Sequence, residues 1–330
     1  MSKKILKLII VIAIIIVLGL IVYTTIKHFK DEKLMGKNYE IISTYNNPIV
    51  PEGFKAIDTE SAKWIKENEI VKDWNKGLVI EDSIGNQFVW IPVNIEDLEY
   101  NTYYVKEDVQ YKKEKLNINQ EEDKQILKYG GFYISRYEAG VAEKMQNTLN
   151  DIGSKTNDIQ GIPVSKKGII PWNYISLKNA KINAETMYQV DTVKSGLPTE
   201  KQWQFIMKWL NDCGYDVYQK SDKWGNYSNT YFSFSGYYSE DNGKSYQYGE
   251  NKKKSEKNII ISCGATERNI SNNIYDLAGN LSEYLDSYST SSGYIATGGY
   301  YDYISQGAYG GGIYEKASNQ IGFRISLFII

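Results

Sequence analysis

The chain has 330 residues, room for one large or two ordinary domains, with a formal net charge of −2 and a pI near 5.8. Nothing in that balance suggests a nucleic-acid partner. The 42% hydrophobic fraction is ordinary for a globular chain, and tyrosine, with 29 residues, is the outlier.

Residues 8–26 are nineteen consecutive positions without a charge. At 1.5 Å per residue they reach about 28 Å, close to the hydrocarbon thickness of a bilayer. Lys3, Lys4 and Lys7 precede the run, and Lys27, Lys30 and Lys33 follow it, mixed with Asp31 and Glu32. Flanking charge orients the span only weakly, and the absence of a second long apolar run favours an N-terminus inside. A cleaved signal peptide is the competing reading, but its apolar region is usually shorter and no small-x-small site follows Thr24-Thr25. The expectation is an uncleaved anchor. Residues 1–29 form a cytoplasmic tip and transmembrane helix, 30–70 a stalk, and 71–330 a domain outside the cytoplasm at the cell membrane.

The sequence Leu78-Val-Ile-Glu-Asp, the turn Ser83-Ile-Gly-Asn and the run 87–93 read as a β-hairpin. The heavily charged stretch 95–128 reads as a solvated insertion, 131–137 as a strand, and the polar stretch 143–160 as loop. Leu177, Ala180 and Ala184 have helical spacing, which predicts a helix over 176–187. A second helix starts at Thr199. Thr199 and Gln202 make a capping-box pattern, Pro198 blocks extension backward, and Trp203, Ile206, Met207 and Leu210 share one face. From Tyr215 to Tyr314, seventeen tyrosines are interleaved with Gly, Ser and Asn, and helical periodicity disappears. Asn242-Gly243 and Gly310-Gly-Gly312 are turn signals, so loops and short strands are expected here. These tyrosines suit either a half-buried β surface or a recognition surface. Tyr294, Tyr300, Tyr301, Tyr303 and Tyr309, in Gly/Ser-rich sequence, are the expected ligand-binding set. Cys213 and Cys263 either pair or remain two separate thiols.

The stretch 273–284, Asn-Ile-Tyr-Asp-Leu-Ala-Gly-Asn-Leu-Ser-Glu-Tyr, organises the rest. Asp276 and Glu283 lie among apolar Ile274, Leu277 and Leu281, and Gly279-Asn280 is a turn signal. Either this is a turn flanked by two solvated acids, or the carboxylates are buried and need a partner or a metal.

The same stretch resembles the Asp-Met-x-Gly-Asn-x-x-Glu-Trp core of the formylglycine-generating enzyme (sulfatase-modifying factor) family. In the family's order, Phe88-Val-Trp-Ile-Pro-Val is similar to its opening strand. Gly131-Phe-Tyr-Ile-Ser-Arg-Tyr-Glu138 and Leu197-Pro-Thr-Glu-Lys-Gln-Trp203 resemble its next strand and helix start. Gly298-Gly-Tyr300 and Gly322-Phe-Arg324 resemble its closing motifs. The resemblance runs from about residue 77 to the C-terminus. It implies an irregular α+β fold related to C-type lectins, a fold that hosts both oxidases and binding proteins. By position it also implies one structural calcium ion held by the Asp276 and Glu283 carboxylates and the Gly279 and Leu281 carbonyls. Calcium takes oxygen ligands of these kinds.

The family's chemistry departs from this sequence. Its copper-binding cysteine pair precedes the closing Gly-Phe-Arg, yet residues 299–321 hold no cysteine. Iron-using relatives need several histidines, and the chain has only His28, at the edge of the apolar run. The lone histidine also removes any Ser-His-Asp or Cys-His arrangement. The sequence therefore leads to a membrane-anchored extracellular binding module for a protein or carbohydrate. The alternative is a metal-dependent oxidoreductase of the same superfamily.

Overall fold

The computed structural model describes residues 40–41, 49–64, 70–71, 77–93, 126, 128–142, 158–286, 294–305, 307–314 and 316–330. The apolar run 8–26, most of the charged insertion 95–128 and most of the loop 143–160 lie outside them. Among the described residues, no helix is long and apolar enough to cross a membrane.

The architecture is β-rich α+β. Its largest layer is an eight-stranded sheet built from β1 (Phe54–Asp58), β2 (Lys63–Trp64), β3 (Val79–Asp82), β4 (Gln87–Pro92), β5 (Gly131–Ser135), β6 (Gln189–Val190), β7 (Val193–Gly196) and β15 (Ser326–Ile329). The spatial order is β6-β7-β15-β5-β4-β3-β1-β2. All of its pairings are antiparallel. The C-terminal strand thus sits in the middle, between β7 and β5, and ties the end of the chain to its beginning.

The centre of this sheet is covered on both faces, which explains why β4 reads as an unbroken apolar run. Phe88 and Trp90 enter one core with Tyr133, Trp172 and Phe323, which also takes Ala180 and Ala184 of α1 (Leu177–Met187). Val89 and Ile91 enter the other core with Phe132 and Ile134. That second core is closed by α2 (Glu200–Asp212), whose Trp203, Ile206, Met207 and Leu210 are all buried, as their spacing requires. Thr199 accepts from the Gln202 amide at 3.2 Å, and the Gln202 side chain accepts from the Thr199 amide at 3.0 Å, completing the capping box. At the β3–β4 turn, Asp82 accepts from the amides of Ile84 and Asn86 at 3.0 and 2.8 Å.

Three expectations need correction. The stalk assigned to 30–70 contains β1 and β2: Phe54-Lys-Ala-Ile-Asp pairs with β3, with Ala56 and Ile57 buried. The tyrosine-rich half holds a pair of eight-residue strands, β8 (Phe232–Ser239) and β9 (Gln247–Lys254), with β10 (Ile260–Ile261) on the other edge of β8. Asn242 and Gly243, both at positive φ, do lie in the turn between β8 and β9. The glycine run 310–312 enters a strand: β13 (Gly311–Tyr314) joins β11 (Ser282–Tyr284), β12 (Tyr294–Thr297) and β14 (Ile321–Phe323) in the order β13-β12-β11-β14.

Candidate functional site

The stretch 273–284 lies in the interior. Asp276 follows a two-residue strand, Gly279 and Asn280 make the turn, and Glu283 is on β11. Asp276, Gly279 and Asn280 all have positive φ, at 53°, 72° and 60°. Glycine is required at position 279 for a second reason: a Cβ there would lie 2.2 Å from the Asn226 carbonyl oxygen.

Asp276 and Glu283 are fully buried, so the solvated-acid reading fails. Glu283 is gripped by Arg324, which lies between β14 and β15. Arg324 Nε donates to both carboxylate oxygens at 2.9 and 3.0 Å, and Nη2 reaches Oε1 at 2.7 Å. Nη1 and Nη2 also donate to the Ser135 and Tyr275 carbonyls at 2.9 and 2.8 Å. Asp276 accepts from the Gly264 amide at 2.7 Å and from Asn269 Nδ2 at 3.2 Å. A third buried acid, Glu138, accepts from Asn280 Nδ2 at 2.6 Å and from the Leu281 amide at 3.0 Å. Asn280 Oδ1 in turn receives Asn226 Nδ2 and the Ile261 amide, each at 3.0 Å.

Burial pushes all three carboxyls up. Glu138 is well above its ordinary value, through burial and then the nearby Asp276 and Glu283 charges. Asp276 is raised to about 6, chiefly by burial. Glu283 is raised by burial against the opposing Arg324 charge. Three acids share one guanidinium, so repulsion between Glu138, Asp276 and Glu283 adds to burial in favouring their protonated forms.

Sequence reasoning named Asp276 and Glu283 but treated Glu138, Asn280 and Arg324 only as parts of motifs. The available signal was a lone acid, Glu138, ending the buried strand run 131–137, and a lone arginine inside the apolar C-terminal run. Among the described residues, no group of three or more His, Cys, Asp or Glu gathers as a metal cage. The expected set of two carboxylates and two carbonyls is smaller than such a group. Its donors are hard oxygens of the kind calcium takes, while both Glu283 oxygens are already held by Arg324.

The expected ligand tyrosines separate. Tyr301 is fully buried, its hydroxyl donating to Asn242 Oδ1 at 2.9 Å, so it is withdrawn from any surface. Tyr303 is 43% exposed and tilted against half-buried Tyr300, with ring centroids 5.4 Å apart. Tyr309 is half-buried, and the Tyr294 side chain lies outside the described residues. Exposed tyrosines also occur at 231, 237 and 248, on or beside the β8–β9 hairpin. Cys213 is exposed and Cys263 buried, and no disulfide joins them.

One cleft, about 390 Å³, opens between the start of α2 and the β11–β12–β13 side of the four-stranded sheet. Glu200 and Trp203 line it from the helix, Leu285, Ile295 and Thr297 from the sheet side, and Tyr309 closes it.

No family model matches the chain, and no curated protein does. Among solved structures, CarF is similar at 17% identity and a TM-score of 0.41, over 74% of this chain and 98% of that one. A variable protein of Treponema denticola, variable protein 1, is similar at 11% identity and a TM-score of 0.35, over 60% of this chain and 84% of that one.

Proposed function

We propose that this chain is a membrane-anchored, extracellular binding module on a scaffold of the formylglycine-generating type, without that family's copper chemistry. One observation carries the reading. The acids and arginine that match the family's motifs face one another in the core, sealed from solvent and held by protein partners, so they serve the fold rather than a reaction. The cleft beside them is lined by one carboxylate and one phenol, with neither thiol nor imidazole to act as a nucleophile or base. Its ligand is a protein or a carbohydrate, met at the cleft and at Tyr300, Tyr303, Tyr309 and neighbouring Tyr294. The membrane span is residues 8–26.

The test is enzymatic. The purified protein, with or without copper, is expected to leave a Cys-x-Pro-x-Arg peptide unchanged in mass. Copper-dependent conversion of the peptide cysteine to the aldehyde would overturn the reading.

We also propose one structural calcium ion at Asp276 and Glu283, with the Gly279 and Leu281 carbonyls. A divalent cation there would compensate the acids in their ionised form. Extracellular sites bind at about 0.1–1 mM, so millimolar calcium would add about 0.4–1.4 kcal/mol. For a domain of this size that raises the melting temperature by about 1–6 °C over chelator-treated protein. A melting temperature indifferent to both chelator and calcium would overturn the calcium site.

A further inference from the structure

An edge strand presents a row of unpaired N–H and C=O groups, and chains blunt that hazard with charge, shortness or bulges. The edge strands β2, β6 and β10 are two residues long. β9 carries Glu250, Lys252 and Lys253, and its pairing with β8 shifts register between Phe234 and Gly236. β14, one edge of the four-stranded sheet, is buried at all three residues. β13, the other edge, reads Gly-Gly-Ile-Tyr and has none of these devices, and Gly311 is exposed. Among the described residues, its one strand neighbour is β12.

The register decides which backbone groups point outward. The Leu285 amide donates to the Ile295 carbonyl at 3.4 Å, and the Gly298 amide to the Gly310 carbonyl at 3.1 Å. Hydrogen-bonded pairs alternate along an antiparallel ladder, so β12 turns the backbone of Ile295 and Thr297 toward β11 and that of Tyr294 and Ala296 toward β13. Opposite those two, Gly312 and Tyr314 spend their backbone groups on β12. The N–H and C=O groups of Gly311 and Ile313 therefore point away from the sheet, and groups at that spacing are matched by another extended backbone. The cleft beside α2 decides what that backbone carries. Gly311 lines it with Ile295 and Thr297, and Thr297 lies directly opposite Gly311. Gly311 has no side chain, and a Cβ on it would come 2.7 Å from the Ala296 carbonyl oxygen. A side chain on an added strand, beside Gly311 and on the same face, thus meets the cleft with no β13 side chain in its way. The walls Leu285, Ile295, Trp203 and Tyr309 suit an apolar residue there. We infer that β13 takes up an extended peptide of a protein partner as a fifth strand, with one apolar side chain of that peptide entering the cleft beside Gly311. The inference rests on the binding-module reading and narrows its partner to a protein.

A random heptapeptide library panned on the full chain in detergent supplies the probe, and amide hydrogen exchange reads the site. In the free protein the Gly311 and Ile313 amides are expected to exchange fast and the Gly312 amide slowly. Selected peptides should share an apolar residue, slow exchange at Gly311 and Ile313, and lose binding when that residue becomes Asp. Ile313→Pro removes an N–H that the sheet does not use, so it should melt close to wild type, as proline does on an edge facing solvent. It should nevertheless bind a selected peptide about tenfold more weakly, while Ile313→Val, which keeps the N–H, binds it as wild type does. Protection of Gly311 and Ile313 without peptide, by a second copy or by the chain's own residues, would overturn the inference. So would a library that yields no binder, peptides that leave both amides exchanging, or binding indifferent to Ile313→Pro. The peptide-oxidation assay judges the non-catalytic reading independently of these outcomes.

Discussion

Arg324→Met is expected to destabilise the domain by about 3–5 kcal/mol, enough to leave much of it unfolded at 37 °C. The guanidinium is fully buried and, among the described residues, is the one cation acting on the Glu138–Asp276–Glu283 cluster. It spends its donors on both Glu283 oxygens and on the Ser135 and Tyr275 carbonyls, so its loss strands a carboxylate and two carbonyls together. Arg324→Lys should not rescue, because an ammonium cannot reproduce the forked contact. Pairing Arg324→Met with Glu283→Gln should recover part of the loss, since no unpaired Glu283 charge then remains. Denaturant midpoints for the three variants settle the matter. An Arg324→Met protein within about 1 kcal/mol of wild type would mean that the cluster is not held by this ion pair.

Gly279→Ala should be nearly as damaging, at about 2–5 kcal/mol, through two separable terms. The first is the positive φ of 72°, which a side chain tolerates poorly. The second is contact: the added Cβ would sit 2.2 Å from the Asn226 carbonyl oxygen and 2.7 Å from its carbon, which are backbone atoms that cannot rotate away. Gly53→Ala supplies the control, because Gly53 has φ 89° but no atom within 4 Å of the added carbon. It should show the conformational term alone, about 1–2 kcal/mol. Equal thermal shifts for the two variants would remove the contact argument.

What was legible in the sequence is what local physics decides. The start of α2 was readable because Thr199 and Gln202 satisfy each other's backbone within one turn, and its buried face because Trp203, Ile206, Met207 and Leu210 repeat at helical spacing. The β3–β4 hairpin was readable from two apolar runs around a Gly-Asn turn. The β8–β9 pair was not: β9 is exposed along most of its length, so its Tyr-Gly-Glu-Asn-Lys sequence carries no alternation, and the inward face of β8 mixes Phe232, Phe234 and Tyr238 with Gly236. Tyr301 looked exposed because its neighbours are Gly, Tyr and Asp. Asn242 and Asn319, both distant in sequence, give its hydroxyl partners and so permit burial. The acidic site was half legible. The sequence marks Asp276 and Glu283 as acids in an apolar run, but pairing Glu283 with Arg324, and Glu138 with Asn280, depends on β5, β11, β14 and β15 converging.

Amide hydrogen exchange at Leu281 tests most directly whether the motif is structural core. Its N–H donates to Glu138 inside the cluster, and the Gly264 and Gly279 amides donate to Asp276 and to the Gly298 carbonyl. These three amides are expected to exchange only by global unfolding, with the same free energy as the slowest amides of β4 and β5. Exchange at Leu281 by low-energy local opening, while β4 and β5 stay protected, would contradict a sealed structural core.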